Sequence, residues 1–238
     1  MNIPICVLTC DAYLWMLRPF AFLFNTFWGK EQEVTIFGYK PIFRVLNDLP
    51  QNFKFISIDK ESYPERRWSD GLIKMIHLLK SPYFILFLED FWLTAPVDIG
   101  VVDKLYEYMK VHHNVLRMDL TNERISKKNV KLIEHYDGIG IIEAPNSSKF
   151  SMSFQVGIWD SELALQVLRE GETPWQTELQ GTERINSLNG EIRVLGSDRR
   201  PVEYQPVYRK HRRRMTTDKI PSHLLEVIVE RGWLRKRI

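Results

Sequence analysis

The run Tyr83-Phe-Ile-Leu-Phe-Leu88 restricts this chain more than any other segment. Six apolar residues in succession fall far short of the ~20 needed to cross a bilayer, and they carry no helical stripe. They read as a strand covered on both faces, the condition of a parallel sheet with helices on each side. Comparable runs lie at Ile3 to Thr9, Val34 to Gly38 and Phe53 to Ile58. Helical patterns alternate with them: Leu72, Ile73, Ile76 and Leu79 form a stripe behind Ser69 as cap, and Val101, Val102, Leu105 and Met109 form another behind Asp98. Right-handed crossovers then bring the carboxyl ends of the strands to one edge, where open α/β sheets bind ligands. Thr9 to Asp11, Asp59 and Glu89-Asp90 map to that edge.

After residue 120 the runs shorten, with strands expected at Ile139 to Glu143, Phe154 to Trp159 and Ile192 to Leu195, and Val115 to Asp119 just before them. A mixed sheet fits that stretch better. One helix interrupts it, with Asp160 as cap, Leu163, Ala164, Val167 and Leu168 buried, and Gly171 as stop. At 238 residues, with no Ser/Gly-rich linker and no repeat, the chain reads as a single domain at 1–198, with a nucleotide half at 1–120 and an acceptor half at 121–198, followed by a basic segment at 199–238.

Charge supports that last boundary. Of 33 Lys+Arg and 30 Asp+Glu, 12 basic and 4 acidic residues lie between Arg199 and Ile238, leaving 21 basic and 26 acidic for residues 1–198. A body of −5 therefore carries a tail of +8. Cys6 and Cys10 have no histidine pair at metal-finger spacing, so neither a disulfide framework nor a zinc site is implied. The N-terminus lacks a basic segment before its apolar stretch and meets Asp11 early, which leaves a cytoplasmic protein as the expectation. Gly-x-Gly-x-x-Gly, Gly-Lys-Ser/Thr and Gly-x-Ser-x-Gly motifs are missing, which removes the main support for a dinucleotide oxidoreductase, a P-loop NTPase or a serine hydrolase.

Four segments carry chemistry. Glu89 and Asp90 emerge where the apolar strand ends, and adjacent strand residues face opposite ways, so one faces the ligand edge and the other the body. A carboxylate there suits Mg²⁺ or Mn²⁺ held against a diphosphate, while the two acids taken alone are better explained as a turn cap paired with Arg or Lys. In Glu172-Thr-Pro-Trp-Gln-Thr-Glu178, a helix opened by Pro174 sets Trp175 and Glu178 on one face. That arrangement suits a stacking platform beside a general base; a dipole-stabilised Glu with a core Trp is the alternative. Arg66-Arg-Trp-Ser-Asp-Gly71 offers Arg and a helix start to a phosphate or ribose, or is simply a cap. In the tail, Arg199, Arg200, Arg209, Lys210, His211, Arg212, Arg213 and Arg214 accompany Tyr204 and Tyr208, and Arg235, Lys236 and Arg237 end it. Nucleic acid, a diphosphate, an anionic membrane surface and plain solubility all fit such a run.

Together, Val7-Leu-Thr-Cys-Asp11, Trp68-Ser-Asp-Gly71, Phe87-Leu-Glu-Asp90 and Pro174-Trp-Gln-Thr-Glu178 resemble a nucleotide-sugar glycosyltransferase of the GT-A type, over roughly residues 1 to 200. Small proteins of this pattern occur in bacteria and their phages. The resemblance implies an α/β, GT-A (Rossmann-like) mixed sheet flanked by helices, and a nucleotide-sugar donor with a UDP-sugar first among them. It places Thr9, Asp11, Trp68, Ser69, Asp70 and Glu89 on the donor, a divalent cation on Asp90, and the base of an inverting reaction on Glu178. His211 is a further metal ligand by the same analogy. The usual Asp-x-Asp is Glu89-Asp90-Phe91 here. Either Asp90 alone holds the cation with phosphates and water, or Arg209, Lys210 or Arg212 neutralises the departing diphosphate.

The expected activity is transfer of a sugar to a hydroxyl. The tail makes a 5-hydroxymethylated base in phage DNA the first acceptor, with Trp175, Arg199, Arg200, Arg209, Lys210, Arg212, Arg213 and Arg214 on the acceptor side. Transfer to a cell-surface or capsule saccharide is the competing enzyme reading. A non-catalytic nucleic-acid-binding protein on a transferase scaffold, suggested by Phe91, is the third.

Overall fold

The computed structural model describes residues 3–41, 43–145, 150–209 and 214–234. The apolar runs become β1 (Ile5–Leu8), β2 (Val34–Gly38), β3 (Phe53–Ser57) and β4 (Tyr83–Leu88), separated by α1 (Leu17–Phe27), α2 (Phe43–Leu46) and α3 (Trp68–Leu79). There follow β5 (Phe91–Leu93), α4 (Ile99–Val111), β6 (Val115–Asp119), β7 (Lys131–Tyr136), β8 (Ile139–Glu143), β9 (Gly157–Asp160), α5 (Ser161–Val167) and α6 (Pro174–Ser187). The chain closes with β10 (Arg193–Ser197), β11 (Tyr204–Pro206), β12 (Tyr208–Arg209), β13 (Arg214–Met215) and α7 (Ser222–Glu230). Nine strands hydrogen-bond in the order β3, β2, β1, β4, β9, β6, β10, β8, β7, so the protein has an α/β fold built on a mixed sheet flanked by helices.

The residues cluster into two compact units interleaved along the chain: Met1–Cys6, Tyr63–Phe87 and Asp98–Pro201 in the first, Val7–Ser62, Leu88–Val97 and Val202–Ile238 in the second. In the first unit β9 runs antiparallel to both β4 and β6, β10 runs parallel to β6, and β7 and β8 add an antiparallel edge. Its core draws Leu72, Met75 and Ile76 from α3, Val102, Leu105 and Met109 from α4, and Ala164 and Val167 from α5. Asp98 and Asp160 cap α4 and α5 as their positions suggest, accepting from the N–H of Val101 and Leu163.

Ser69 does not cap. A 3₁₀ turn at Glu65–Arg67 runs directly into α3, so the cap position falls on Arg67 and Ser69 lies inside the helix. The strand expected from Phe154 is also shorter, beginning at Gly157, because the backbone of Phe154 and Gln155 is bound to side chains rather than to a neighbouring strand.

In the second unit β2 and β3 pair in parallel, with Val34 opposite Phe53. Here α1 buries Phe20, Leu23 and Phe24, the last stacked on Trp28 at 5.3 Å. Pro19 lies in the first turn of α1, where its missing N–H breaks no helical bond. β5 pairs with β11 and β12 with β13, both antiparallel.

Candidate functional site

Of the residues expected on the donor, the second unit holds Thr9, Asp11 and Glu89, at the ends of β1 and β4, and the first unit holds Trp68, Ser69 and Asp70. Thr9 donates its N–H to the Phe37 carbonyl (2.9 Å), carrying β1 one residue past its last sheet position. A 3₁₀ turn at Asp11–Met16 follows. Asp11 is tied on both sides: its N–H donates to Ser62 Oγ (3.3 Å) and its Oδ1 accepts from the Lys40 N–H (3.1 Å).

At the end of β4 the two acids part. Glu89 is 8% exposed, and burial with the neighbouring Asp90 charge pushes its carboxyl up to about 8, against bonds from its own amide and the Thr9 hydroxyl. It is therefore mostly a neutral acid at pH 7, able to donate a hydrogen bond. Asp90 is half-buried and lies between this acid and the buried β5. Phe91 opens β5, 8% exposed, with its ring 4.6 Å from Tyr204. The position at which an Asp-x-Asp motif carries its second acid is thus a core position here.

The basic tail enters beside this turn. Val207 donates its N–H to the Asp90 carbonyl (2.9 Å), and the Tyr208 ring packs against Tyr13 (5.4 Å) and Trp15 (6.4 Å) on the turn after β1. Arg209 is in register with Arg214 in the β12–β13 pair. Lys210, His211, Arg212 and Arg213 lie outside the described residues, and with them His211 as a metal ligand. Among the described residues no three His, Cys, Asp or Glu side chains cluster as a metal site.

The first unit builds a second constellation around Glu178. Thr173 and Gln176 form a reciprocal capping box, Pro174 opens α6, and the helix presents Trp175, Glu178 and Leu179 along one face. Trp175 is 54% exposed, so it is no core residue. Glu178 Oε1 accepts from the Phe154 N–H (2.9 Å). Burial raises the Glu178 carboxyl above the ordinary range; the Phe154 amide, Arg117 and Lys127 oppose that, and Glu123 adds to it. Trp68 packs on the Phe154 ring at 4.7 Å.

Ser69 and Asp70 belong to this unit, whereas Thr9, Asp11 and Glu89 belong to the other, and the polar atoms of Ser69 and Asp70 are engaged. Ser69 Oγ accepts from the Glu172 N–H (3.0 Å). Asp70 accepts from the Gly171 N–H (2.8 Å) and from Arg67 (2.7 and 2.9 Å). Glu172 in turn holds Arg184 through two bonds of 2.8 and 2.9 Å. The start of α3 thereby clamps the loop that launches α6.

Behind Glu178 lies a charged layer that the sequence reading passed over. Arg117 and Arg124 are buried at 0% and 1%, with Asp119 and Thr121 beside them. Asp119 Oδ1 accepts from the Thr121 N–H (3.1 Å) and hydroxyl (2.8 Å), and Oδ2 from the Arg124 N–H (2.9 Å). The one signal in the sequence was Arg and Asp interrupting an otherwise apolar strand, Val115-Leu-Arg-Met-Asp119. Of the tail arginines in this unit, Arg199 and Arg200 are exposed past β10, Arg199 3.6 Å from Asp198.

No protein-family model matches the chain, and no curated protein matches it by sequence. Solved structures similar to it include a cytidylyltransferase from Leptospira borgpetersenii serovar Hardjo-bovis, at 7% identity and TM-score 0.48 over 100% of this chain and 98% of that one. A CMP:2-keto-3-deoxy-manno-octonic acid synthetase complexed with CTP aligns at 13% identity and TM-score 0.46, over 97% and 99%. S. aureus TarS aligns at 13% identity and TM-score 0.48, over 86% of this chain and 36% of that one. No helix among the described residues is long and apolar enough to cross a membrane.

Proposed function

We propose that the protein is a glycosyltransferase of the GT-A type that moves a sugar from a nucleotide diphospho-sugar, a UDP-sugar first among them, to a hydroxyl acceptor with inversion. The observation that carries this reading is Glu178: a half-buried carboxylate with raised proton affinity, held by one backbone amide, at the start of a helix that also exposes Trp175. Burial raises the proton affinity of that carboxylate above the ordinary range, the direction that favours a general base. As the acceptor oxygen bonds to the anomeric carbon, the bond from that carbon to the phosphate oxygen breaks. Its electron pair leaves with the nucleoside diphosphate, and the acceptor proton passes to Glu178 Oε2. Trp175 supplies the apolar face on which a sugar or base lies.

Thr9 and Asp11 suit the nucleoside, with Tyr13, Trp15 and Tyr208 as a stacking cluster near it. Glu89, protonated at pH 7, suits hydrogen-bond donation to a phosphate or sugar oxygen. A divalent cation would be held by Asp90 together with the donor's own phosphates and water, since one carboxylate suits an ion that arrives on a diphosphate better than an all-protein cage. Such an ion would neutralise charge on the leaving group. The basic chain that starts at Arg209 serves the same charge from the protein side.

Replacing Glu178 by Gln tests the reading: transfer should fall 10² to 10⁴-fold while nucleoside diphosphate binding stays within about twofold. Undiminished turnover by that variant would remove Glu178 as base. A second reading of the acceptor, a 5-hydroxymethylated base in DNA, is favoured by the exposed Arg199 and Arg200 and by the excess of 12 basic over 4 acidic residues in the tail. Nucleosides from hydroxymethylcytosine DNA should then gain a hexose-sized mass, and duplex binding should weaken steeply with salt. No mass gain with any donor returns the acceptor to a saccharide.

A further inference from the structure

We propose that Arg117 is a positioning residue for Glu178: its buried guanidinium fixes the Phe154–Gln155 backbone that orients the Glu178 carboxylate, and sets a permanent positive charge beside it. The proposal deepens the assignment of Glu178 as base and rests on it.

Arg117 stands mid-strand in β6 and is wholly buried. Its Nη2 donates to the Gln155 carbonyl (2.9 Å) and toward Asp119 Oδ1 (3.4 Å), its Nη1 donates to Glu123 Oε2 (3.2 Å), and its guanidinium lies 5.6 Å from the centre of the Trp159 ring. Nε has no hydrogen-bond partner among the described residues. A buried guanidinium with an unpaired N–H, paired to Asp119 and Glu123, is a weak source of stability, because apolar residues replacing the whole group would do as well or better, whereas removing the arginine alone strands the two acids. What arginine supplies at this position, and an apolar residue does not, is a fixed carbonyl anchor and a charge.

The anchor acts on the strap formed by residues 151–155. Its carbonyls go to the arginine layer, Ser151 to Arg124 and Gln155 to Arg117. Two of its amides go to α6, Met152 to Thr182 Oγ1 (3.0 Å) and Phe154 to Glu178 Oε1 (2.9 Å), while the Gln155 N–H turns back to Ser153 Oγ (3.4 Å). The strap is thus pinned between α6 on one side and β6 with the turn after it on the other, and the amide that holds the base is one residue from the carbonyl that Arg117 holds. Close approach is provided for on both sides. A Cβ on Gly157 would meet Arg117 Nε at 2.8 Å, and Gly181 of α6 faces the Met152 sulfur. The charges that face Glu178 are Arg117 from β6 and Glu123 and Lys127 from the turn after it. Glu123 is itself shared between Arg117 and Lys127 (3.7 Å). Arg117 is therefore the buried cation of the group.

Two variants test this. In ¹³C-carboxyl-labelled protein, with the Glu178 signal assigned by its loss in Glu178→Gln, Arg117→Met should raise the Glu178 titration midpoint by about one pH unit, a tenfold tighter hold on the proton. Arg117→Lys keeps the charge but not the fork. It should leave the midpoint nearly in place, speed hydrogen exchange of the Phe154 amide at least tenfold, and lower kcat with the donor KM unchanged. A folded Arg117→Met with the wild-type midpoint overturns the proposal. If Arg117→Met does not fold, Arg117→Lys decides: Phe154 exchange and kcat at wild-type values overturn it as well. The titration and the exchange need no transfer activity. They therefore stand or fall separately from the assignment of Glu178 as base, which undiminished transfer by Glu178→Gln would remove.

Discussion

Gly157 is fixed by its neighbours rather than by its own backbone. A methyl group there would sit 2.8 Å from Arg117 Nε and 2.9 Å from the Met118 carbonyl, and the carbonyl belongs to the paired strand and cannot retreat. Gly157→Ala should cost about 1–3 kcal/mol, read as a lower urea midpoint, and should disturb Phe154 exchange through Arg117. Glu89 makes a different prediction at the same scale. Its carboxyl, lifted to about 8 by burial and the Asp90 charge, holds a proton in the folded state that the unfolded chain releases near 4.3. Between these values the folded state binds more protons, so this group's contribution to stability falls as pH rises from about 5 to 8. Glu89→Gln in cation-free buffer should match the wild type near pH 5 and exceed it by about 1 kcal/mol or more near pH 8; parallel curves would rule out the buried acid. Neither residue announced itself. Glu89 was legible as an acid at a strand end, but its protonation depends on what covers it, and Gly157 carries no sequence signal of the arginine it admits.

At the scale of elements, α6 was legible and α1 was not. Pro174 is a helix opener written in local chemistry, and α6 begins there, with a Thr173–Gln176 capping box that the structure adds. In α1, Pro19 reads as a breaker until its place in the first turn is known. The start of α3 shows the limit of local reading. Ser69 and Asp70 look alike as caps, ligands or tethers in sequence, and long-range partners at Gly171 and Glu172 make them tethers. Ser69→Ala should leave the buried Glu172 N–H unpaired, cost about 1–3 kcal/mol, and reduce transfer by displacing α6, while UDP binding in a calorimeter stays unchanged. Weakened UDP binding would instead make Ser69 a donor ligand.

Across the whole molecule, charge separates with the fold. The unit holding Glu178 has 17 basic and 18 acidic residues, whereas the unit holding Asp90 has 16 and 12. Val207 and Tyr208 start the basic stretch beside the Asp90 turn, so replacing Arg209, Lys210, Arg212 and Arg213 together by Gln should weaken UDP binding about tenfold, near 1.4 kcal/mol. An unchanged UDP affinity with lost duplex binding would assign the stretch to a polynucleotide. The chain's own sequence determined its α/β class, its first four strands, the helix starts at Asp98, Asp160 and Pro174, and the strand-end acids, because apolar periodicity, capping and the fixed φ of proline are local. Tertiary structure alone decided which polar groups are engaged, which acid keeps its proton, and that two buried arginines stand behind Glu178. Those properties depend on desolvation and on partners roughly 25 to 100 residues away, which no local pattern encodes.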